Sequence, residues 1–148
     1  MPLWQDRIVC ILDRHHPRVR GSLNLAQYLS MVHARPLGWG RTTTSRVIDA
    51  AVEREGAKLG LTFGVQNMLT LPQILSGSDL VGTVPQMLAR SFAAQYPLQL
   101  LELPLQLPKV RYASYWHERS HKDPAHRWLR QMVLSAARTL NTDSRVAQ

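Results

Sequence analysis

Cysteine is nearly missing from this chain. Cys10 stands alone, which excludes an internal disulfide. It lies in "RIVCIL" (7–12), a short β-branched run that reads as a buried strand, so an inert core thiol is expected rather than a nucleophile. Long apolar runs are also missing, and none approaches the roughly 20 residues of a membrane span. The start, "MPLWQDRIVCILDRHH", sets charge on both sides of a short apolar core, unlike a signal peptide, so a cytoplasmic protein is expected. Aromatics are few, 7%, and do not interleave with basic residues as a base-stacking platform requires. Catalytic signatures are lacking as well. There is no G-x-S-x-G elbow and no P-loop, and "GWGRTT" lacks the third glycine of a dinucleotide fingerprint. The chain is not expected to be an enzyme, and no cofactor is expected.

What remains is ordinary globular material. Apolar residues make up 45% of the 148 and charged residues 19%, enough for a core in one domain or two small lobes. The net charge of +8 favours an anionic partner without naming it. The basic residues form no long run, although residues 109–148 hold eight Lys/Arg against three Asp/Glu. Direct nucleic-acid binding by this tail is one reading, and it predicts affinity that falls steeply with salt.

Strand-like and helix-like segments alternate. "RIVCIL" is a strand closed by "DRHHPRVRG". "NLAQYLS" (24–30) is a helix with Asn24 as N-cap and Gln27 at capping-box spacing. "MVHARPL" (31–37) is a strand. "SRVIDAAVEREG" is a helix with Val47, Ile48, Ala51 and Val52 on one face and Gly56 just past its end. Strand 59–65 follows, then a helix in 67–77 that starts at Asn67 or Thr70 because of Pro72. Strand 79–85 comes next, then a helix that ends before Pro97. This order is the signature of an α/β fold, a parallel sheet with crossover helices. "LQLLELPLQLP" and "KVRYASYWH" then read as two strands, and one long helix follows.

That last helix begins within "YWHERSHKDPAHRWLRQ" (115–131), a stretch with three histidines and four Lys/Arg. Asp123 is a strong N-cap and Pro124 suits the first helical position. Trp128, Leu129, Met132, Val133, Ala136 and Leu140 form an apolar face at helical spacing. His117 and His121 are four apart, but they precede the helix, so no metal site is expected. No second helix with a short turn accompanies it, so a helix-turn-helix is not expected here.

"GWGRTTTSR" (38–46) carries the most chemistry. Its glycines free the backbone, and a helix then begins at a hydroxyl cluster whose unpaired N–H groups suit an anion. Ligands of open α/β sheets gather beyond the carboxyl ends of strands. Thr42, Thr43, Thr44 and Ser45 could therefore hold a carboxylate, with Arg41 adding charge. Plain N-capping uses the same groups, and both readings stand.

"DPAHRWLRQ" after "SYWHERSHK", with "DLVGTVPQMLA" upstream and "RIVCILDRHHP" and "SLNLAQYLSMVHARP" before it, resembles the effector domain of LysR-type transcriptional regulators. The likeness spans about residues 3–140 and is nearest the nodulation and aromatic-acid-responsive subgroup. The resemblance implies a periplasmic-binding-protein-like α/β domain of two lobes with an inducer in the cleft. Residues 13–97 would form the second lobe, with a parallel or mixed sheet. Residues 1–12 and 98–140 would form crossover strands and elements of an incomplete first lobe, and 141–148 a disordered tail. The family's helix-turn-helix, linker helix and first part of the first lobe have no counterpart here. DNA contact would then belong to the parent protein, and this chain would sense a small organic, aromatic acid, with no membrane partner. A homo-oligomer is expected. So is apolar exposure on "LQLLELPLQL" and on the Trp128–Met132 face. His33 falls where related regulators place a polar cleft residue, although a histidine satisfied by local backbone is the simpler reading. Asn67 is a cleft ligand or an N-cap, Thr83 ends a strand where its hydroxyl could face the cleft, and Trp39 could stack on a ring or cover the core. The alternative function is a free-standing small-anion-binding protein or an enzyme on the same scaffold.

Overall fold

The computed structural model describes residues 1–36 and 43–146. The chain divides into two compact units, Arg7–Pro108 and Met1–Asp6 with Lys109–Gln148. The breaks fall at 6/7 and 108/109.

The larger unit is a five-stranded sheet in the order β4-β3-β5-β2-β6. Its strands are β2 (Ile8–Asp13), β3 (Val32–Pro36), β4 (Thr62–Val65), β5 (Leu80–Pro85) and β6 (Leu98–Glu102). β3 runs parallel to both β4 and β5. The crossovers are helices α2 (Thr43–Arg54) and α3 (Leu71–Leu75). β2 is antiparallel to β5 and to β6, so of the parallel or mixed sheet that was expected the mixed form is present, with three strands parallel. Alternation of elements cannot show this, because the partners of β2 lie some seventy to ninety residues away and local pattern carries no direction. Every residue of β2 is buried, as a central strand covered on both faces requires.

One face packs Val9, Ile11, Ala34, Leu71, Leu75 and Val84 beneath α3 and α4 (Gln86–Ala93). The other packs Cys10, Leu12, Val19, Tyr28, Met31 and Val81. Tyr28 comes from α1 (Leu25–Ser30), whose expected capping box is present in both directions between Asn24 and Gln27. Ile48, Ala51 and Val52 of α2 are buried as the periodicity demands, and Gly56 follows with φ of 67°. Pro72 sits at the start of α3, after a 3-10 turn at Met68–Thr70. The leucines of 98–107 are not bare as expected: Leu98 and Leu101 are buried, because β6 pairs with β2 and lays them on the core.

In the smaller unit β1 (Pro2–Asp6) pairs antiparallel with β7 (Val110–Ala113), which lies within the strand expected in "KVRYASYWH". Trp4 stacks on Tyr112 with centroids 4.4 Å apart. Helix α5 (Pro124–Val146) packs against β1. Asp123 caps it, its Oδ1 accepting from the His126 N–H at 2.8 Å. It continues past 140, where a disordered tail was expected. "NTDSRV" contains no glycine or proline to stop a helix. The histidines before it are engaged locally. His117 accepts from the Arg119 N–H, and His121 accepts from the Trp116 indole. Among the described residues no helix is long and apolar enough to cross a membrane.

Candidate functional site: polar groups beside the parallel strands

The parallel strands β3, β4 and β5 bring their carboxyl ends to one edge of the sheet. In register, His33 lies beside Val81 and Ala34 beside Gly82, and Cys10 of β2 lies opposite Thr83. Alternation along β3 then puts His33 and Arg35 on the same face. α1 and α2 supply the facing groups. The Tyr28 hydroxyl is 3.0 Å from Thr83 Oγ1. Arg35 donates through Nη2 to the Ser45 carbonyl at 3.2 Å and pairs with Asp49 at 2.8 Å. That pair is mostly covered, and it fastens the first turns of α2 to the end of β3.

Burial sets the protonation states. It pushes the Tyr28 phenol and the Cys10 thiol well above their usual values, so Tyr28 stays a hydroxyl and Cys10 cannot serve as a thiolate nucleophile. Burial also lowers the pKa of His33. The Tyr28 carbonyl opposes this and the Arg35 charge adds to it. The ring is 2.8 Å from the Tyr28 carbonyl through Nε2. A carbonyl only accepts, so the neutral tautomer carries its proton on Nε2 and donates there. It also meets the Tyr28 ring edge-on at 4.7 Å. A group whose folded pKa lies below the unfolded value of 6.5 takes up protons more readily when unfolded. Its contribution is therefore complete above pH 6.5 and is lost as pH falls through that value toward the folded pKa. H33Q, whose amide can still donate to the Tyr28 carbonyl, should flatten the decline of urea stability between pH 7 and 5. A parallel decline in both proteins would place the titration elsewhere.

Tyr28, His33, Arg35, Ser45, Ile48 and Thr83 line a recess of about 10 Å³, room for about one water. An organic acid does not fit there; a single carboxylate oxygen does. Of the residues singled out from sequence, His33, Ser45 and Thr83 meet around this recess. Thr44 lies in the first turn of α2, as does the backbone of Thr43. Arg41, Thr42 and Trp39 lie outside the described residues. Asn67 is exposed and caps the 3-10 turn, accepting from the Leu69 N–H at 2.9 Å. Arg35, Tyr28 and Asp49 were missed. Arg35 alone was signalled, by standing two residues after His33 on one strand face.

The model for the LysR substrate binding domain matches residues 1–138. Nodulation protein D 2 of Rhizobium tropici is 31% identical over 135 residues, 91% of this chain and 43% of its own length. The HTH-type transcriptional regulator SyrM 1 of Sinorhizobium fredii is 34% identical over 91% of this chain and 40% of its own. The chain thus spans about two fifths of these relatives. A putative transcriptional regulator from Vibrio parahaemolyticus superposes with a TM-score of 0.79 at 25% identity, over 97% of this chain and 66% of that one. The effector binding domain of QuiR in complex with shikimate shares the fold, with a TM-score of 0.64 at 13% identity over 94% of this chain and 65% of that one. With the match covering nearly all of its residues, the chain belongs to the LysR substrate binding domain family, whose named relatives are transcriptional regulators and not enzymes.

Proposed function

We propose that the chain is the ligand-sensing part of a cytoplasmic LysR-type transcriptional regulator, and that it binds a small organic acid, aromatic where a ring is available to stack. The observation that carries this is the juxtaposition at one sheet edge of the first turn of α2 and the covered Arg35. Arg35 is bonded to the Ser45 carbonyl and to Asp49. The opening N–H groups of α2 lack partners within the helix and carry its positive dipole end. A carboxylate held by Arg41, Thr42, Thr43, Thr44 and Ser45 gains both. One oxygen faces the recess beside Thr83 and His33, and the rest of the ligand stays outside it. Asn67 opens the element after β4 at the same edge. QuiR, which shares this fold, holds a carboxylate, shikimate. DNA contact is left to other parts of such a regulator. The ligand acts by binding one arrangement of the protein better than another.

Titration calorimetry with benzoate and with shikimate tests this. Alanine at both Thr43 and Thr44 should weaken binding about tenfold, the effect of losing one or two hydrogen bonds to a charged group. The melting temperature should stay nearly unchanged. Equal titrations of both proteins would remove the assignment to α2, and no heat from any small carboxylate would remove the sensing role.

A further inference from the structure

We propose that the loop between β2 and α1, together with the outer side of α1, is a site for a pyrimidine nucleoside triphosphate, separate from the carboxylate site. The loop "RHHPRVR" (14–20) exposes Arg14, Arg18 and Arg20. None of the three has an ion pair or a side-chain hydrogen bond among the described residues. Two carboxylates stand near. Asp13 is buried and accepts from the His15 and Gly77 N–H groups, and Asp79 is exposed, with its carbonyl against His16. The three guanidinium groups outnumber them. The loop is also a fixed frame. The Gln99 amide nitrogen donates to the carbonyls of Asp13, Arg14 and Val19 at 2.9, 3.4 and 3.3 Å, which pinches the base of the loop shut. His16 and Val19 are buried within it. The His16 ring accepts from the Arg18 N–H through Nδ1 at 3.2 Å and is 3.0 Å from the Asp79 carbonyl through Nε2. The backbone beneath the arginines is therefore ordered before any phosphate arrives, which lowers the entropy cost of binding. The planar guanidinium fork suits phosphate oxygens.

Arg18 also lines a recess of about 160 Å³ with Val19, Gln27, Ser30 and Met31. A cavity of about 150 Å³ holds benzene, so this recess takes one six-membered ring and not a purine. Val19 and Met31 are buried and give it an apolar floor. Gln27 uses Oε1 to accept from the Asn24 N–H, so it offers its amide N–H groups. Ser30 donates its proton to the Gln27 carbonyl at 2.9 Å, so it offers its oxygen as an acceptor. A donor beside an acceptor matches the edge of uracil, where a carbonyl oxygen adjoins a ring N–H. Size also separates a free nucleotide from a nucleic-acid strand. A protein bound along a duplex neutralises about 6–10 phosphates, whereas this short loop answers a triphosphate with three arginines. Helix α1 borders both sites, with Gln27 and Ser30 at this recess and Tyr28 at the other.

Titration calorimetry of the 148-residue chain with UTP and with tripolyphosphate decides it, in about 0.1 M salt, where exposed charges more than about 10 Å apart are screened. UTP is expected to bind once per chain, and tripolyphosphate more weakly. R18Q should weaken both about tenfold, the effect of losing a charged hydrogen bond, and R20Q should weaken both as well, each with an unchanged circular dichroism spectrum. R119Q removes the same charge from the exposed segment before α5 and should change neither. S30L crowds the recess and should weaken UTP while leaving tripolyphosphate as it was. No heat from UTP, equal effects of R18Q and R119Q, UTP binding indifferent to S30L, ATP bound as tightly as UTP, or a short DNA duplex bound more tightly than UTP would each overturn the proposal.

Discussion

Gly60→Ala should lower the stability of the chain by about 3 kcal/mol, the upper end of the cost of overpacking. For a chain of this size that is a fall of roughly 10 °C in melting temperature. The reason is the nature of the neighbours. A Cβ at Gly60 would stand 2.5 Å from the Met31 carbonyl oxygen and 2.9 Å from that of Leu29. Both are backbone atoms at the end of α1 and the entry to β3, so no rotamer change relieves them. Nor can the segment back away cheaply. The Gly60 N–H donates to the Leu29 carbonyl at 2.8 Å, and the Leu61 carbonyl accepts from the His33 N–H at 2.8 Å. Moving Gly60 out would break the contact that seats β4 beside β3. Gly56→Ala is the control. Its φ of 67° strains any side chain, but nothing lies within 4 Å of the added carbon, so the cost should be about 1 kcal/mol. Equal losses in the two variants, measured by urea denaturation, would mean that conformation rather than crowding governs Gly60. Because β3 carries His33 and Arg35, G60A should also weaken carboxylate binding even where the protein remains folded.

How much of this was legible in the sequence depends on whether the cause was local. The capping box at Asn24 and Gln27, the cap at Asp123 and the buried face of α2 each follow from residues within a turn of one another, and all three are present. Strand direction was not legible, since β2 meets β5 and β6 only after the chain has folded back over them. On α5 periodicity gave the apolar stripe at Trp128, Leu129, Met132 and Val133, the resemblance added that it would be bare, and these side chains are exposed. The side that packs inward is instead marked by Leu134 and Ala137, small or isolated residues that give little signal. At the candidate site the hydroxyl cluster was legible as chemistry. Arg35 was passed over because an arginine inside a strand reads as a solvated edge, and only its pairing with Asp49 across α2 shows otherwise.

Asp13→Ala should cost about 3 kcal/mol near neutral pH, and the cost should shrink as the solution is acidified. Asp13 ends β2 as a buried carboxylate. Its Oδ1 accepts from the His15 N–H at 2.7 Å and its Oδ2 from the Gly77 N–H at 2.6 Å. The second bond ties the end of β2 to the turn after α3, where Gly77 has a positive φ of 74°. Each bond to a charged acceptor contributes about 1.5–3 kcal/mol, and alanine leaves both donors without that partner. The Gly77 bond is the largest cause holding this carboxyl below its usual value of 3.8; burial opposes it, and the bond from His15 and the charges of His15 and His16 assist. A carboxyl with a depressed folded pKa stabilises the protein fully above its unfolded pKa, and this is lost as pH falls through the folded value. The gap between wild type and D13A should therefore be constant from pH 7 to about 5 and narrow below pH 4. Asparagine keeps one acceptor and turns an amide toward the other donor, so D13N should fall between the two at pH 7. A gap that does not change between pH 6 and pH 3 would show that Asp13 supports the turn through shape alone, with its charge contributing nothing.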